Sequence, residues 1–392
     1  AALAQRTDRP VLAIVRNDDD AEELADDLTL FTGQAVERLA PWEAALADDR
    51  LSEEVTGERL RLCRAISGPT PPRFIVASIL AILQPVPSVD ALRAGELTLT
   101  RSQTLEIDDL LGWLVDAGYE AVDQVDAVGE FAHRGGIVDI LGPAESTAVR
   151  IEFFGDEIDS LRRFDLDSHR SIEAVDKATL VSLRFGDQGT GSVSLLDYLP
   201  AETLLVTPEP AELAQLAADI VRRWHEDESD DVVLPWDILS DESLWAAGAT
   251  MKRVELFHFQ PRNDENVIAM DIRSLQRLTG KLEDVFATLD ELAAESDVWV
   301  FCETDAERER FEQMLDGAVA DPGRICTQQG LLRGGFSWES RGLVVVGHHE
   351  IFHRHTQRRH VRKVRAGRPI ENMLDLQRTD YVVHVSHGIA KF

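Results

Sequence analysis

The sequence predicts a multidomain protein of the α/β and α+β classes: a split α/β domain holding an inserted α+β domain, then a further small α/β domain. Three observations predict it. The chain has 392 residues, 44% of them apolar, more than one hydrophobic core ordinarily serves. Short continuous apolar runs, such as Val11-Leu-Ala-Ile-Val15 and Arg73-Phe-Ile-Val-Ala77, have the length and composition of strands buried on both faces. Between two such regions the pattern changes to strict alternation, Val149, Ile151 and Phe153 against Arg150, Glu152 and Phe154, which is the period of a half-exposed strand.

Taken in order, residues 1–90 form the first half of an α/β domain. Asn17 and the three aspartates after it offer caps for a helix running through Leu30, and Pro85 and Pro87 mark a boundary. Residues 91–185 read as α+β, with one helix over about 103–117 and then closely spaced strands separated by turn residues. Residues 186–272 return to the first pattern, with a strand at Thr203–Thr207 and a helix across Glu209–Trp224. The simplest account makes them the second half of the first domain. The small α/β domain covers 285–352: a strand at Val298–Cys302, a capping box of Thr304 and Glu307 opening a helix to Leu315, and a late strand at Gly342–Gly347. Residues 353–374 are a basic linker or exposed helix. Residues 375–392 begin a new domain, whose strand Tyr381–Val385 has nothing left to pair against, so a longer natural protein is expected.

Forty basic against 71 acidic residues give a formal charge of −31. A surface that negative repels a phosphate backbone and argues against autonomous nucleic-acid binding. Arg354, Arg358, Arg359, Arg362, Lys363, Arg365 and Arg368 run without an acid among them, a basic segment in an acidic body. No apolar run approaches the about 18 residues of a membrane span. Ala1 is followed by no signal-like segment, and Cys63, Cys302 and Cys326 lie far apart. Buried reduced thiols in a cytoplasmic protein are expected.

Motifs for chemistry are sparse. No GxxxxGK[ST] or GxGxxG loop occurs to cradle phosphates, and Gly280-Lys281 is followed by Leu282. No GxSxG elbow is present. Histidines gather at His348, His349, His353, His355, His360, His384 and His387. His349 and His353 could share a helix face, but the cations beside them oppose a metal, so neither metal nor catalytic residue is expected. The informative stretch is Gly129–Pro143 followed by Arg150–Arg162. Gly155-Asp156 suits a two-residue hairpin turn, which places Phe153 opposite Ile158 on the core face. Phe154 then stands with Arg150 on the other face. That face is either a docking surface, since an aromatic beside a guanidinium makes a good hot spot, or is covered by a second layer.

These segments, "GEFAHRGGIVDILGPAES", "RIEFFGDEIDSLRRFD" and "YVVHVSHGIAKF", resemble bacterial transcription-repair coupling factors, in the same order. The weaker "PVPSVDALRAG" and "FHRHTQRRHVRK" extend the likeness along the chain. The first two resemble the domain through which these factors and the helicase UvrB dock onto UvrA. The resemblance implies a degenerate helicase-like α/β domain without a nucleotide loop, a UvrA-binding domain at 91–185, and at 375–392 the start of a CarD-like domain that meets the RNA polymerase β subunit. It implies Arg134, Arg150 and Phe154 as the UvrA-binding residues. The ATP and magnesium chemistry, the translocase and the DNA contacts of such a factor would lie in domains beyond residue 392. A free-standing CarD-like regulator and a UvrB-type helicase fragment are the rival expectations. The first accounts for only the last dozen residues, and the second lacks its phosphate loop.

Overall fold

The structure is a computed structural model. It describes residues 7–42, 53–143, 147–166, 170–184, 192–226, 238–259, 267–275, 282–316, 318–319, 321–352, 381–384 and 388–391. Two compact units divide the chain near residue 272.

In the first unit, β1 (Val11–Val15), α1 (Asp18–Thr32), β2 (Val36–Leu39), α2 (Glu53–Ile66) and β3 (Phe74–Ser78) alternate. The Asn17 side chain accepts from the Asp20 amide at 2.8 Å and starts α1. Short α3 (Ile79–Leu83), β4 (Val86–Pro87) and α4 (Val89–Ala94) lead to β5 (Glu96–Thr100) and α5 (Ile107–Asp116). The helix expected from about 103 begins only at Ile107. Gln103 and Leu105 instead spend their backbone groups on the hairpin at 148–164, bonding Ile158 of its second strand and Asp156 of its turn. Then come β6 (Glu120–Ala121), β7 (Glu130–Arg134), β8 (Ile137–Leu141), β9 (Ala148–Phe154), β10 (Glu157–Phe164), β11 (Ser171–Ala174) and β12 (Lys177–Val181). β13 (Ser192–Val193), β14 (Leu204–Pro208), α6 (Pro210–Glu226), α7 (Asp241–Ala247) and β15 (Lys252–Leu256) follow.

One sheet runs β15-β14-β1-β3-β2 with all its pairs parallel. It therefore draws strands from both before and after residues 91–185. Ala13, Val15 and Val76 face Ala21 of α1, while Leu12, Ile14, Ile75 and Ala77 pack with Leu60, Ile82 and Leu213 on the other side. Cover on both faces is why β1 and β3 read as unbroken apolar runs. β4 and β13 pair antiparallel, Val86 against Val193, joining the two ends of the intervening segment. Within that segment a second sheet runs β11-β10-β9-β8-β7-β6, and β5 pairs with β12.

In the second unit, β16 (Ile272–Ser274), α8 (Leu282–Glu295), β17 (Asp297–Cys302), α9 (Asp305–Leu315), β18 (Ile325–Gln329), β19 (Phe336–Trp338), β20 (Leu343–Gly347) and α10 (His348–Phe352) build a sheet ordered β16-β19-β20-β17-β18. Phe311 is its buried aromatic centre, 5.9 Å from the Phe286 ring.

Two expectations need correction. The strand at Tyr381 is not left alone: β21 (Tyr381–His384) pairs antiparallel with β22 (Gly388–Lys391). Cys63 and Cys302 are buried, but Cys326 is exposed; it alternates outward on β18 beside the buried Ile325. The basic segment 354–368, with His353, His355, His360 and His387, lies outside the described residues.

Candidate docking face

The six-stranded sheet has two unlike faces. One carries Phe131, Val138, Ile140, Val149, Ile151, Ile158 and Leu161, buried against Leu110 and Leu114 of α5 and against Leu99 and Leu180 of the β5–β12 pair. Strand parity then puts the alternate residues on the other face. In register, Arg134 lies opposite Ile137, and Ile137 opposite Glu152. Asp139 lies opposite Arg150, and Arg150 opposite Arg162. Phe154 closes the β9–β10 turn opposite Glu157.

Arg134, Arg150 and Phe154 thus share one face. Two tight turns bring this about. Gly155 holds a φ of 64° and Gly135 one of 62°, each first in a two-residue turn, a conformation glycine adopts without cost. The Gly135-Gly136 turn adds no extra residue, so parity passes unbroken from β7 to β8. At Gly136 a Cβ would sit 3.0 Å from the Phe153 carbonyl oxygen, so a larger residue there would push against the backbone of β9.

A second layer does cover this face, but only at one end. Val125 packs with Ala132, Leu141, Ala148 and Phe164, and Val122 and Val128 join them. The Glu130 carboxylate pins that loop by accepting from the Asp126 and Ala127 amides at 2.8 Å. At the hairpin tips the cover stops. Phe154 is 84% exposed, whereas its neighbour Phe153 packs partly against the core of the other face. Among the described residues no second layer reaches Phe154.

The two arginines are held differently. Arg150 forms a bidentate pair with Asp139, Nε and Nη2 each donating at 2.7 Å, and its guanidinium lies 5.0 Å from the Phe164 ring centroid. The hydrogen bond to Asp139 raises the Arg150 pKa further above its ordinary value. Arg134 donates from Nη2 to the Asp123 carbonyl at 2.7 Å and is exposed. Glu152 accepts from the Ser160 hydroxyl at 2.7 Å. Sequence reasoning missed Asp139. Its signal was the alternation Ile137, Asp139, Leu141, which gives it the parity of Arg150 once the Gly135-Gly136 turn is taken as two residues.

Elsewhere the described residues hold no group of three or more His, Cys, Asp or Glu placed to bind a metal ion. No helix among them is long and apolar enough to cross a membrane.

Residues 97–184, which carry this face, match the family model of the UvrB interaction domain. The whole chain is also similar to curated proteins named transcription-repair-coupling factor. It is 25% identical to that of Bacillus subtilis (strain 168) over 483 residues, covering 100% of this chain and 40% of the relative. For Mycobacterium tuberculosis (strain CDC 1551 / Oshkosh) the identity is 27%, with 100% and 39% covered. For Escherichia coli (strain K12) it is 26%, with 100% and 40% covered. Over its whole length the chain is thus similar to the transcription-repair-coupling factors. It spans about two fifths of the length of the curated relatives it matches.

Proposed function

We propose that this chain is a docking module of transcription-coupled nucleotide-excision repair, which recruits UvrA to stalled RNA polymerase. The observation that carries the reading is Phe154, exposed at a hairpin tip within the stretch that matches the UvrB interaction domain. In this reading Arg134, Arg150 and Phe154 meet UvrA, with Phe154 as the aromatic anchor. Arg150 is held in place by its pair with Asp139, and Arg134 supplies the more exposed cation. The polymerase β subunit would be met through the domain begun by β21 and β22, and DNA through parts of the family outside these residues. The compartment would be the cytoplasm.

The five-stranded parallel sheet is read as a degenerate helicase-like domain. Where a nucleotide-binding relative would place its phosphate loop, β1 passes to α1 through Arg16 and Asn17 alone, and Asp18, Asp19 and Asp20 crowd the first turn. Helix N-termini attract phosphate, but three carboxylates there repel it. No ATP, magnesium or other cofactor is assigned to these residues.

The test is binding of purified UvrA to the chain and to Phe154→Ala. The substitution should weaken binding about 30-fold, the loss of ~2 kcal/mol typical of a hot spot, with the melting temperature unmoved. Undiminished binding would remove Phe154 from the interface.

A further inference from the structure

We infer that Ile137 is a second apolar anchor of the docking face, so that the partner must present an apolar socket spanning two strands with an acidic group at its rim. This rests on the UvrA-docking reading above and names the chemistry that its partner surface needs.

Ile137 is a β-branched residue in a strand yet 38% exposed. Its strand neighbours Val138 and Ile140 are wholly buried on the opposite face, so its exposure follows from parity and not from a frayed end. Across β7 it faces Arg134, and across β9 it faces Glu152. Phe154 is two residues beyond Glu152 on the same face, the diagonal position, about 7–8 Å away between Cα atoms and within reach of an aromatic ring. The pairing continues to the tip, with the Phe153 amide donating to the Gly136 carbonyl at 2.8 Å. Between Ile137 and Phe154 the intervening turn contributes only Gly135 and Gly136, both exposed and without side chains. The two apolar groups therefore border one patch, open where the cover by Val122, Val125 and Val128 ends. The cation on its rim is Arg134, whose Nη2 donates to a backbone carbonyl, that of Asp123; the Arg150 guanidinium is held by Asp139.

A matched control exists on the same sheet. Ile172, on β11 at the far edge, is 56% exposed. It is the same residue type in the same secondary structure, on a strand separated from β9 by β10.

The experiment measures the affinity of purified UvrA for the 392-residue chain and for Ile137→Ala, Ile137→Val, Ile172→Ala and Phe154→Ala, with melting curves alongside. Ile137→Ala should weaken binding about tenfold, Ile137→Val should largely restore it, and Ile172→Ala should bind as the parent chain does. If Phe154→Ala loses affinity while Ile137→Ala does not, the anchor assignment fails and the docking reading stands. Equal losses for Ile137→Ala and Ile172→Ala would also overturn the assignment, since the effect would follow exposed isoleucine and not place. If UvrA binds and none of the four variants changes it, the face itself is misplaced.

Discussion

Phe153 and Phe154 are chain neighbours with opposite surroundings, and they make the sharpest pair of single-residue predictions. Phe153 is only half-buried, packed at the margin of the core, so Phe153→Ala should cost about 1–3 kcal/mol, less than a central phenylalanine. Phe154→Ala should cost almost nothing in stability. Melting curves of the two variants check this, and the reverse ranking would place the strand one residue out of register. Asp139 makes a second case. Its pair with Arg150 is partly buried, with side-chain exposures of 19% and 27%, and a charged hydrogen bond of that kind contributes about 1–2 kcal/mol. A double-mutant cycle of Asp139→Ala and Arg150→Ala should show a coupling of ~1 kcal/mol; additive losses would mean that the pair contributes nothing. Burial pushes the Cys63 thiol up to about 12 from an ordinary 9.0. The folded state favours the protonated thiol, so this contribution is intact below pH 9 and is lost as pH rises from there towards 12. At pH 8 a maleimide should label Cys326 in the native protein, and Cys63 and Cys302 only after unfolding.

At the scale of elements, one buried cation joins several of them. Arg59 of α2 is fully buried and donates to the carbonyls of Ala40, Ala81, Gln84 and Pro85, while stacking on Trp42 at 3.9 Å. Burial draws its pKa down to about 9, so it remains charged at neutral pH. Arg59→Leu would strand those carbonyls and should cost about 3 kcal/mol, read as a fall in the urea midpoint with an unchanged slope. The connection from β1 to α1 belongs to the same scale. With Asn17 capping the helix and three aspartates in its first turn, ATP should show no saturable binding up to millimolar concentration by calorimetry. Saturable binding that vanished on substitution of Asn17 would reverse this expectation.

For the whole chain, the charge of −31 makes duplex DNA a poor partner at physiological salt. Titration at two salt concentrations should find weak, steeply salt-dependent binding, abolished when residues 354–368 are deleted. Sub-micromolar binding that survived the deletion would contradict the charge argument.

The strands at Val11 and Phe74 were legible in the sequence because both their faces are covered, which leaves an apolar run with no polar interruption; those at Leu204, Asp297 and Leu343 were legible from similar short apolar runs. The β9–β10 hairpin was legible because Gly155-Asp156 names its turn and alternation names its register, so Phe153 opposite Ile158 and Phe154 beside Arg150 followed from local chemistry alone. Local chemistry did not determine the hairpin at Tyr381–Lys391, the outward Cys326, the shortened α5 or the pairing of Asp139 with Arg150. For α5 the reason lies in a distant segment: Gln103 and Leu105 became loop because the β9–β10 hairpin took up their backbone groups. The exposure of Phe154 is of the same kind. Parity puts it on the outer face, but only the tertiary structure decides that the loop at 122–128, tied down by Glu130, covers Phe164 and stops short of the tip.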